Sequence, residues 1–181
     1  HDPLRRQRQM CIRDRAKYTQ LIARRVRELN IYCEIFPFNH INYNMDDYKA
    51  LILSGSPYSV RSKDSLKIDI DKIRGVLPIL GICYGAQLLA DSCGGEVKPS
   101  KTREYGRANL NRVDNSNNIF SNIRDGSQVW MSHADTIFKL PFSSKRIAST
   151  KDVKNAAFQF NDENTFGIQF HPEVYHSTDG K

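Results

Sequence analysis

The sequence contains no apolar run near the ~20 residues of a membrane-spanning helix, and its first residues lack the apolar core of a secretory signal. It contains no C-x-x-C pair among Cys11, Cys33, Cys83 and Cys93, which argues against a zinc ribbon and against a disulfide-stapled secreted domain. It also lacks internal repeats and low-complexity linkers. We therefore expect one globular cytoplasmic unit with no metal site and no membrane partner.

Positive charge is in excess, with 27 Lys and Arg against 20 Asp and Glu. A disproportionate share lies in residues 1–15, which hold five arginines and two aspartates, so the rest of the chain is only mildly basic. Arg24, Arg25 and Arg27 have the spacing of a solvated helix face, and the sequence has no RNA-binding signature or zinc finger. We expect no nucleic-acid partner.

The hydrophobic pattern predicts an α/β domain. Apolar residues recur at helical spacing from Tyr18 to Leu29, and a second helical pattern, YGAQLLADSC, follows the apolar run VLPILGI. IYCEIF and ALIL read as further strands of the first half. The second half has shorter β-rich runs, which we expect to be antiparallel: GRANLNRV, SQVWM, KRIAST, NAAFQF and FGIQF. Together these patterns predict a three-layer domain with a central, mostly parallel sheet and added antiparallel β-hairpins.

The stretch GICYG places Cys83 between a strand and a helix, with Gly81 and Gly85 two residues away on either side. Such a sharp turn exposes the side chain at its apex, and the helix N-terminus favours a thiolate. This combination suits a nucleophile. The alternative is a buried cysteine whose glycine neighbours serve packing alone.

A cysteine nucleophile requires a base and a group that orients the base. Two of the five histidines have a carboxylate two residues later, where an extended chain places both side chains on one face. These pairs are His133 with Asp135 and His171 with Glu173. Spacing alone does not choose between them, and either histidine could be an ordinary surface or core residue.

Longer motifs extend the pattern beyond the sharp turn at GICYG. The sequence closely resembles the class I glutamine amidotransferase domain in four stretches, and in their order and separations: GICYGAQ, REYGRA, VWMSHAD and GIQFHPEV. Within that family it resembles the members that supply ammonia for the amination of XMP to GMP. The resemblance extends from about Tyr18 onward. It implies a flavodoxin-like fold of the class I amidotransferase type.

The resemblance also implies roles for individual residues. Cys83 is the nucleophile, His171 the general base and acid, and Glu173 the residue that orients His171. The main-chain NH groups of Tyr84 and Ser56 form the oxyanion hole, although this chain has serine at position 56 where the family more often has glycine. The resemblance assigns glutamine recognition to four further residues: Gln87, Ser132, His133 and Asp135.

Within this family, ammonia passes to a synthetase (ATP-pyrophosphatase) domain that uses ATP and magnesium, and the active protein is a homodimer. The glutaminase step needs no cofactor. No P-loop-like SGGVDS stretch is present, so we expect this chain to carry only the glutaminase half reaction. Two alternatives are the glutaminase of another class I amidotransferase, which REYGRA and VWMSHAD argue against, and an inactive module that retains the fold.

The first residues differ from the family pattern. Members begin with an apolar strand and a DFGSQ-like turn, whereas this chain has HDPLRRQRQMCIRDRAK before YTQL. MCIRDR resembles a translated sequencing adapter, so we interpret residues 1–15 as non-native and 16–181 as the amidotransferase domain without its first strand and last helix. We expect residues 1–15 to be mobile or badly packed. The alternative is a genuine basic arm.

Overall fold

The computed structural model describes residues 9–13, 17–40, 45–63 and 65–180. Within them the chain forms two α-helices and nine strands, with single 3₁₀ turns at Phe38–His40 and Ile70–Lys72. The elements follow one another as β1 (Gln9–Arg13), α1 (Lys17–Glu28), β2 (Cys33–Pro37), β3 (Ala50–Leu53), β4 (Ile79–Ile82), α2 (Tyr84–Ser92), β5 (Glu96–Val113), β6 (Gln128–Lys139), β7 (Ser144–Thr150), β8 (Ala157–Phe160) and β9 (Thr165–Ile168). Neither α-helix is long and apolar enough to cross a membrane.

The nine strands form one sheet in the order β2-β1-β3-β4-β9-β8-β7-β5-β6. The strands from β2 to β9 are parallel, and those from β9 to β6 are antiparallel. The predicted fold class is confirmed. The FGIQF run was expected among antiparallel neighbours, but β9 joins the two halves because it is parallel to β4 and antiparallel to β8.

The two helices cover opposite faces of the sheet. Side chains alternate along β3, so Leu51 and Leu53 pack in the apolar cluster that includes α2, whereas Ile52 packs in the cluster that includes α1. A parallel strand covered on both faces is apolar almost throughout, as ALIL is. This arrangement gives three layers, with the carboxyl ends of β4 and β9 side by side.

The ends of the helices follow local chemistry. Asn30 adopts φ +59° just beyond α1, a left-handed conformation that asparagine tolerates. Gly94 has φ +81° just beyond α2. The predicted solvated face of α1 is only partly correct, because Arg27 Nη2 donates to the main-chain oxygen of Cys33 at 2.7 Å and Arg25 reaches the main chain of Glu173.

Residues Gln9–Arg13 form β1, which lies between β2 and β3. The sequence analysis found no strand pattern there and expected the first strand to be missing, whereas the backbone completes both ladders because pairing requires only main-chain NH and C=O groups. The rest of the segment interpreted as non-native, residues 1–8 and 14–15, lies outside the described residues. Its origin stays a prediction.

Candidate active site

Cys83 lies at the sharp turn between β4 and α2. Its backbone has φ +54° and ψ −107°, a conformation that residues other than glycine rarely adopt. A Cβ at Gly81 would lie 2.7 Å from the main chain of Gly85, and one at Gly85 would overlap the carbonyl of Leu53. The two glycines are therefore required by close backbone approach, and the turn directs Cys83 out of the sheet.

The adjacent parallel strand brings a histidine to the same edge. Ile82 of β4 pairs with Ile168 of β9, and the Cys83 NH donates to the oxygen of Ile168 at 2.8 Å. His171 follows three residues later, and its NH donates to the oxygen of Trp130 at 2.8 Å. Cys83 and His171 thus come from neighbouring strand ends, although 88 positions separate them in the sequence numbering.

His171 is paired with Glu173. Nδ1 of His171 lies 2.7 Å from Oε1 of Glu173, and the two side chains are only 1% and 3% exposed. Burial alone lowers the pKa of His171, but hydrogen bonds with the Cys83 and Glu173 side chains, and their charges, raise that pKa to about 10. At neutral pH the buried pair therefore presents an imidazolium to Cys83.

The other histidine candidate has a different environment. Burial lowers the pKa of His133 to about 4, with a contribution from the charge of His171, while a main-chain hydrogen bond at Asp135 acts in the opposite direction. The carboxylate of Asp135 accepts a hydrogen bond from Ser59 Oγ and lies 3.7 Å from Arg61 Nη1. His133 is thus neutral at physiological pH, whereas His171 is charged.

A cavity of about 610 Å³ brings the predicted residues together. Its lining contains Cys83, His171, Ser56, Tyr84, Gln87, Ser132, His133 and Asp135. Glu173 lies behind His171 and is absent from the lining. Sγ of Cys83 lies 3.6 Å from the main-chain oxygen of Ser132, so the sulfur faces the cavity wall formed by β6.

Gln87 is buried beside the cavity. Its Nε2 donates to the main-chain oxygen of Asp135 at 2.7 Å, which ties α2 to β6. The side-chain amide of Gln87, which the family resemblance assigned to glutamine recognition, therefore already donates a hydrogen bond within the protein.

The loop after β3 passes close to the nucleophile and the histidine. A Cβ at Gly55 would lie 3.3 Å from Cε1 of His171 and 3.7 Å from Cβ of Cys83. Ser56 follows in the cavity lining, and its Oγ accepts from the NH of Tyr58 at 3.2 Å. Because Gly55 has no side chain, it leaves open the space beside Cys83 and His171 that the Cβ of any other residue would enter.

Sequence reasoning missed several residues of this site. Tyr18 was read only as an apolar position of α1, yet its ring lies against His171. Ser59 and Arg61 hold the carboxylate of Asp135, and Tyr105 lines the cavity. Tyr105 lies within the quoted motif REYGRA, but no periodicity marks Tyr105 or Ser59 as functional.

A second cavity, of about 420 Å³, lies away from these groups. Apolar side chains of β3, β4 and β9 form part of its wall and residues within 110–129 and 170–180 form most of the rest, and Cys83 and His171 are absent from its lining. Cys83 and His171 therefore lie together only at the first of these two cavities.

Comparison with known proteins agrees with this geometry. Residues 12–181 match the family described as glutamine amidotransferase class-I, so the chain belongs to the class I glutamine amidotransferases. Two curated relatives are GMP synthases [glutamine-hydrolyzing] from Christiangramia forsetii and Flavobacterium psychrophilum, each 60% identical over 166 residues. Those matches cover 92% of this chain and 33% of each relative, so the chain spans about a third of their length.

Solved structures show the same fold. A protein from Thermoplasma acidophilum superimposes with a TM-score of 0.81 at 30% identity, covering 96% of this chain and 88% of its own. A glutamine amidotransferase from Thermotoga maritima gives a TM-score of 0.79 at 26% identity, covering 93% and 76%. The flavodoxin-like amidotransferase architecture predicted from the motifs is therefore confirmed.

Proposed function

We propose that this chain is the glutaminase unit of a glutamine-hydrolysing GMP synthase, which releases ammonia from the side-chain amide of glutamine for the amination of XMP to GMP. The observation that carries the proposal is the Cys83 elbow next to a buried His171 that is hydrogen-bonded to Glu173. The 60% identity to GMP synthases supports the choice of this branch of the family.

In the first half of the reaction, Cys83 Sγ attacks the side-chain amide carbon of glutamine and forms a C–S bond. The C=O electrons move to oxygen and give a tetrahedral oxyanion. When that oxyanion collapses, the C–N bond breaks and His171 donates its proton to the leaving nitrogen. Ammonia departs, and a thioester remains on Cys83.

In the second half, His171 is neutral and accepts a proton from a water molecule that attacks the thioester carbon. A second oxyanion forms and collapses, the C–S bond breaks, and glutamate leaves. The sulfur departs as a thiolate beside the reprotonated His171, which restores the starting pair. Glu173 keeps Nδ1 of His171 as the protonated nitrogen, so the other nitrogen is the one that exchanges protons.

Both oxyanions require donors, and we assign them to the main-chain NH groups of Tyr84 and Ser56. Tyr84 begins α2, where NH groups point out of the helix end, and Ser56 directly follows the glycine that lies against His171 and Cys83. Loss of such a donor typically costs ~3 kcal/mol of transition-state stabilisation.

Recognition of glutamine is assigned to the β6 wall of the cavity. The carboxylate of Asp135, fixed by Ser59 and Arg61, suits a cationic amino group, and Ser132 and neutral His133 offer uncharged polar groups. Gln87 supports this wall through its bond to the Asp135 main chain.

The remaining assignments concern the larger protein. We assign XMP activation, with ATP and magnesium, to a synthetase domain that receives the ammonia, and the glutaminase step to Cys83, His171 and water with no cofactor. We also assign homodimerisation to this larger protein. We place the reaction in the cytoplasm, where cysteines outside disulfides, such as Cys33, Cys83 and Cys93, stay reduced.

The test separates the two half reactions. In the complete synthetase, Cys83→Ala is expected to abolish glutamine-dependent GMP formation and ammonia release, while GMP formation from added ammonia continues. Cys33→Ala is the matched control, because Cys33 is a similarly buried cysteine outside any disulfide that is absent from the cavity lining. Glutaminase activity in Cys83→Ala, or its loss in a folded Cys33→Ala protein, would contradict the proposal.

A further inference from the structure

The first turn of α1 lies directly against the base of the proposed reaction. The ring centroids of Tyr18 and His171 are 4.3 Å apart, and the ring planes are inclined by 32°. Tyr18 is half-buried and lines the same cavity as Cys83. The phenol ring therefore covers one face of the imidazole.

α1 is anchored on both sides of this contact. Thr19 Oγ1 lies 2.9 Å from Ser54 Oγ, in the residue before Gly55, and both side chains are buried. Two turns further along, Arg25 Nε donates to the main-chain oxygen of Glu173 at 3.4 Å. Tyr18 is thus held in place by contacts to the loop on one side of His171 and to its carboxylate partner on the other.

The polar contacts of the imidazole lie at its edge. Glu173 binds Nδ1, the Cys83 side chain is hydrogen-bonded to the ring, and Gly55 lies beside the Cε1 edge. Contacts at the edge restrict tilting of the ring plane less than a contact on its face does. An aromatic ring stacked on the face opposes this tilt.

We infer that Tyr18 is a positioning residue whose aromatic ring holds the imidazole of His171 in line with the thiol of Cys83. The inference rests on the proposed role of His171 as general base and acid. A cation within ~6 Å of an aromatic face is also stabilised by the ring, so Tyr18 favours the imidazolium over the neutral imidazole. The titratable groups that face His171 are Cys83, Glu173 and His133, and they are kept in every variant below.

The direct test is an NMR titration of the His171 ring in the histidine-labelled 181-residue chain, compared among wild type, Tyr18→Phe and Tyr18→Leu. Phenylalanine keeps the ring, whereas leucine removes it. We expect the His171 midpoint to fall by about 0.5 pH unit in Tyr18→Leu and to stay near wild type in Tyr18→Phe. An unchanged midpoint in folded Tyr18→Leu, or an equal fall in Tyr18→Phe, would overturn the inference.

Kinetics gives a second readout. For glutamine hydrolysis, Tyr18→Leu is expected to lower kcat by roughly tenfold with KM changed less than about threefold, because an alignment defect acts on the reacting state. Tyr18→Phe is expected to keep kcat within about threefold of wild type. A rise in KM alone would overturn the positioning role.

Val26→Ala separates positioning from general helix stability. Val26 packs in the core beneath α1 and does not line the cavity. It is expected to lower the unfolding temperature without moving the His171 midpoint, and an equal shift in Val26→Ala would contradict the inference. If the wild-type chain releases no ammonia while the Tyr18 variants still move the midpoint, the proposed function fails and the Tyr18 contact stands.

Discussion

Only one oxygen of Glu173 is engaged by His171. Oε1 lies 2.7 Å from Nδ1, whereas Oε2, equally buried, has no hydrogen-bond partner within the part of the chain that the structure describes. The pair therefore depends on a single short, charge-assisted bond, which is stronger than a neutral one.

Glu173→Gln keeps the shape of this bond and removes its charge. We expect the pKa of His171 to fall below about 10, because the carboxylate charge is one of the causes that raises it. We expect kcat to drop by roughly 100-fold with little change in KM, since the amide no longer stabilises the imidazolium. Steady-state ammonia release and a histidine NMR titration measure the two effects, and an unchanged His171 pKa would contradict the assigned pairing.

The two cavity histidines should differ kinetically. His171→Ala is expected to lower kcat by roughly 100- to 10,000-fold, because it removes the group that transfers protons. His133→Ala is expected to act mainly on KM, or to cause a mild loss of stability, because its imidazole is neutral at physiological pH. Both variants are compared by steady-state kinetics. A catalytically dead but folded His133→Ala protein with an active His171→Ala counterpart would reverse the roles.

Gly55→Ala tests the space between nucleophile and base. The new Cβ would press on Cε1 of His171 at 3.3 Å, so the imidazole must shift by a few tenths of an ångström. We expect kcat to fall by at least about tenfold while the unfolding temperature changes little. Ser56→Ala is the control, because the proposed oxyanion donor at that position is its main-chain NH. Equal loss in both variants would favour a side-chain role for Ser56.

Stability should respond to pH in opposite directions at the two histidines. The pKa of His133 in the folded protein is about 4, below the ordinary 6.5. The stability gained by keeping His133 neutral is therefore complete above pH 6.5 and is lost as pH falls towards 4. The pKa of His171 in the folded protein is about 10. The stability contributed by the charged His171 is therefore complete below pH 6.5 and is lost as pH rises towards 10. His133→Asn should flatten the acid limb of the stability profile, and His171→Asn the alkaline limb.

Urea unfolding of each variant and wild type at pH 4 to 10 measures these limbs. The difference between His133→Asn and wild type is expected to change by on the order of 3 kcal/mol across the acid limb. A wild-type profile parallel to that of His133→Asn between pH 6.5 and 4 would show that the buried imidazole does not resist protonation.

The interpretation of residues 1–15 as foreign is tested by replacement. Residues 1–17 are exchanged for an apolar strand and a DFGSQ turn of the kind that the family carries. Since β1 lies between two parallel neighbours, an apolar, β-rich sequence should suit that position better than QMCIR. Thermal unfolding should shift upward by at least about 5 °C. An equally sharp transition at the same temperature in the unaltered chain would overturn the interpretation.

The motifs predicted most of the site because its chemistry is local. The turn at Cys83 and the His171-x-Glu173 pair each lie within a few residues, so sequence spacing indicates each local arrangement, although only the family resemblance favoured His171 over His133. The contacts of Tyr18, Ser59 and Arg61 depend on how distant segments pack, and residue type alone does not reveal such contacts. For the same reason hydrophobic pattern located β9 but did not show that it is parallel to β4.

The adjacency of β4 and β9 also determines when the site can exist during synthesis. The helix after Cys83 and the strand before it are complete long before the ribosome reaches His171. Until β9 docks beside β4, Cys83 lacks the imidazolium of His171 as its neighbour. Under the proposed function, glutamine hydrolysis therefore begins only after β9, the last of the described strands, has joined the sheet.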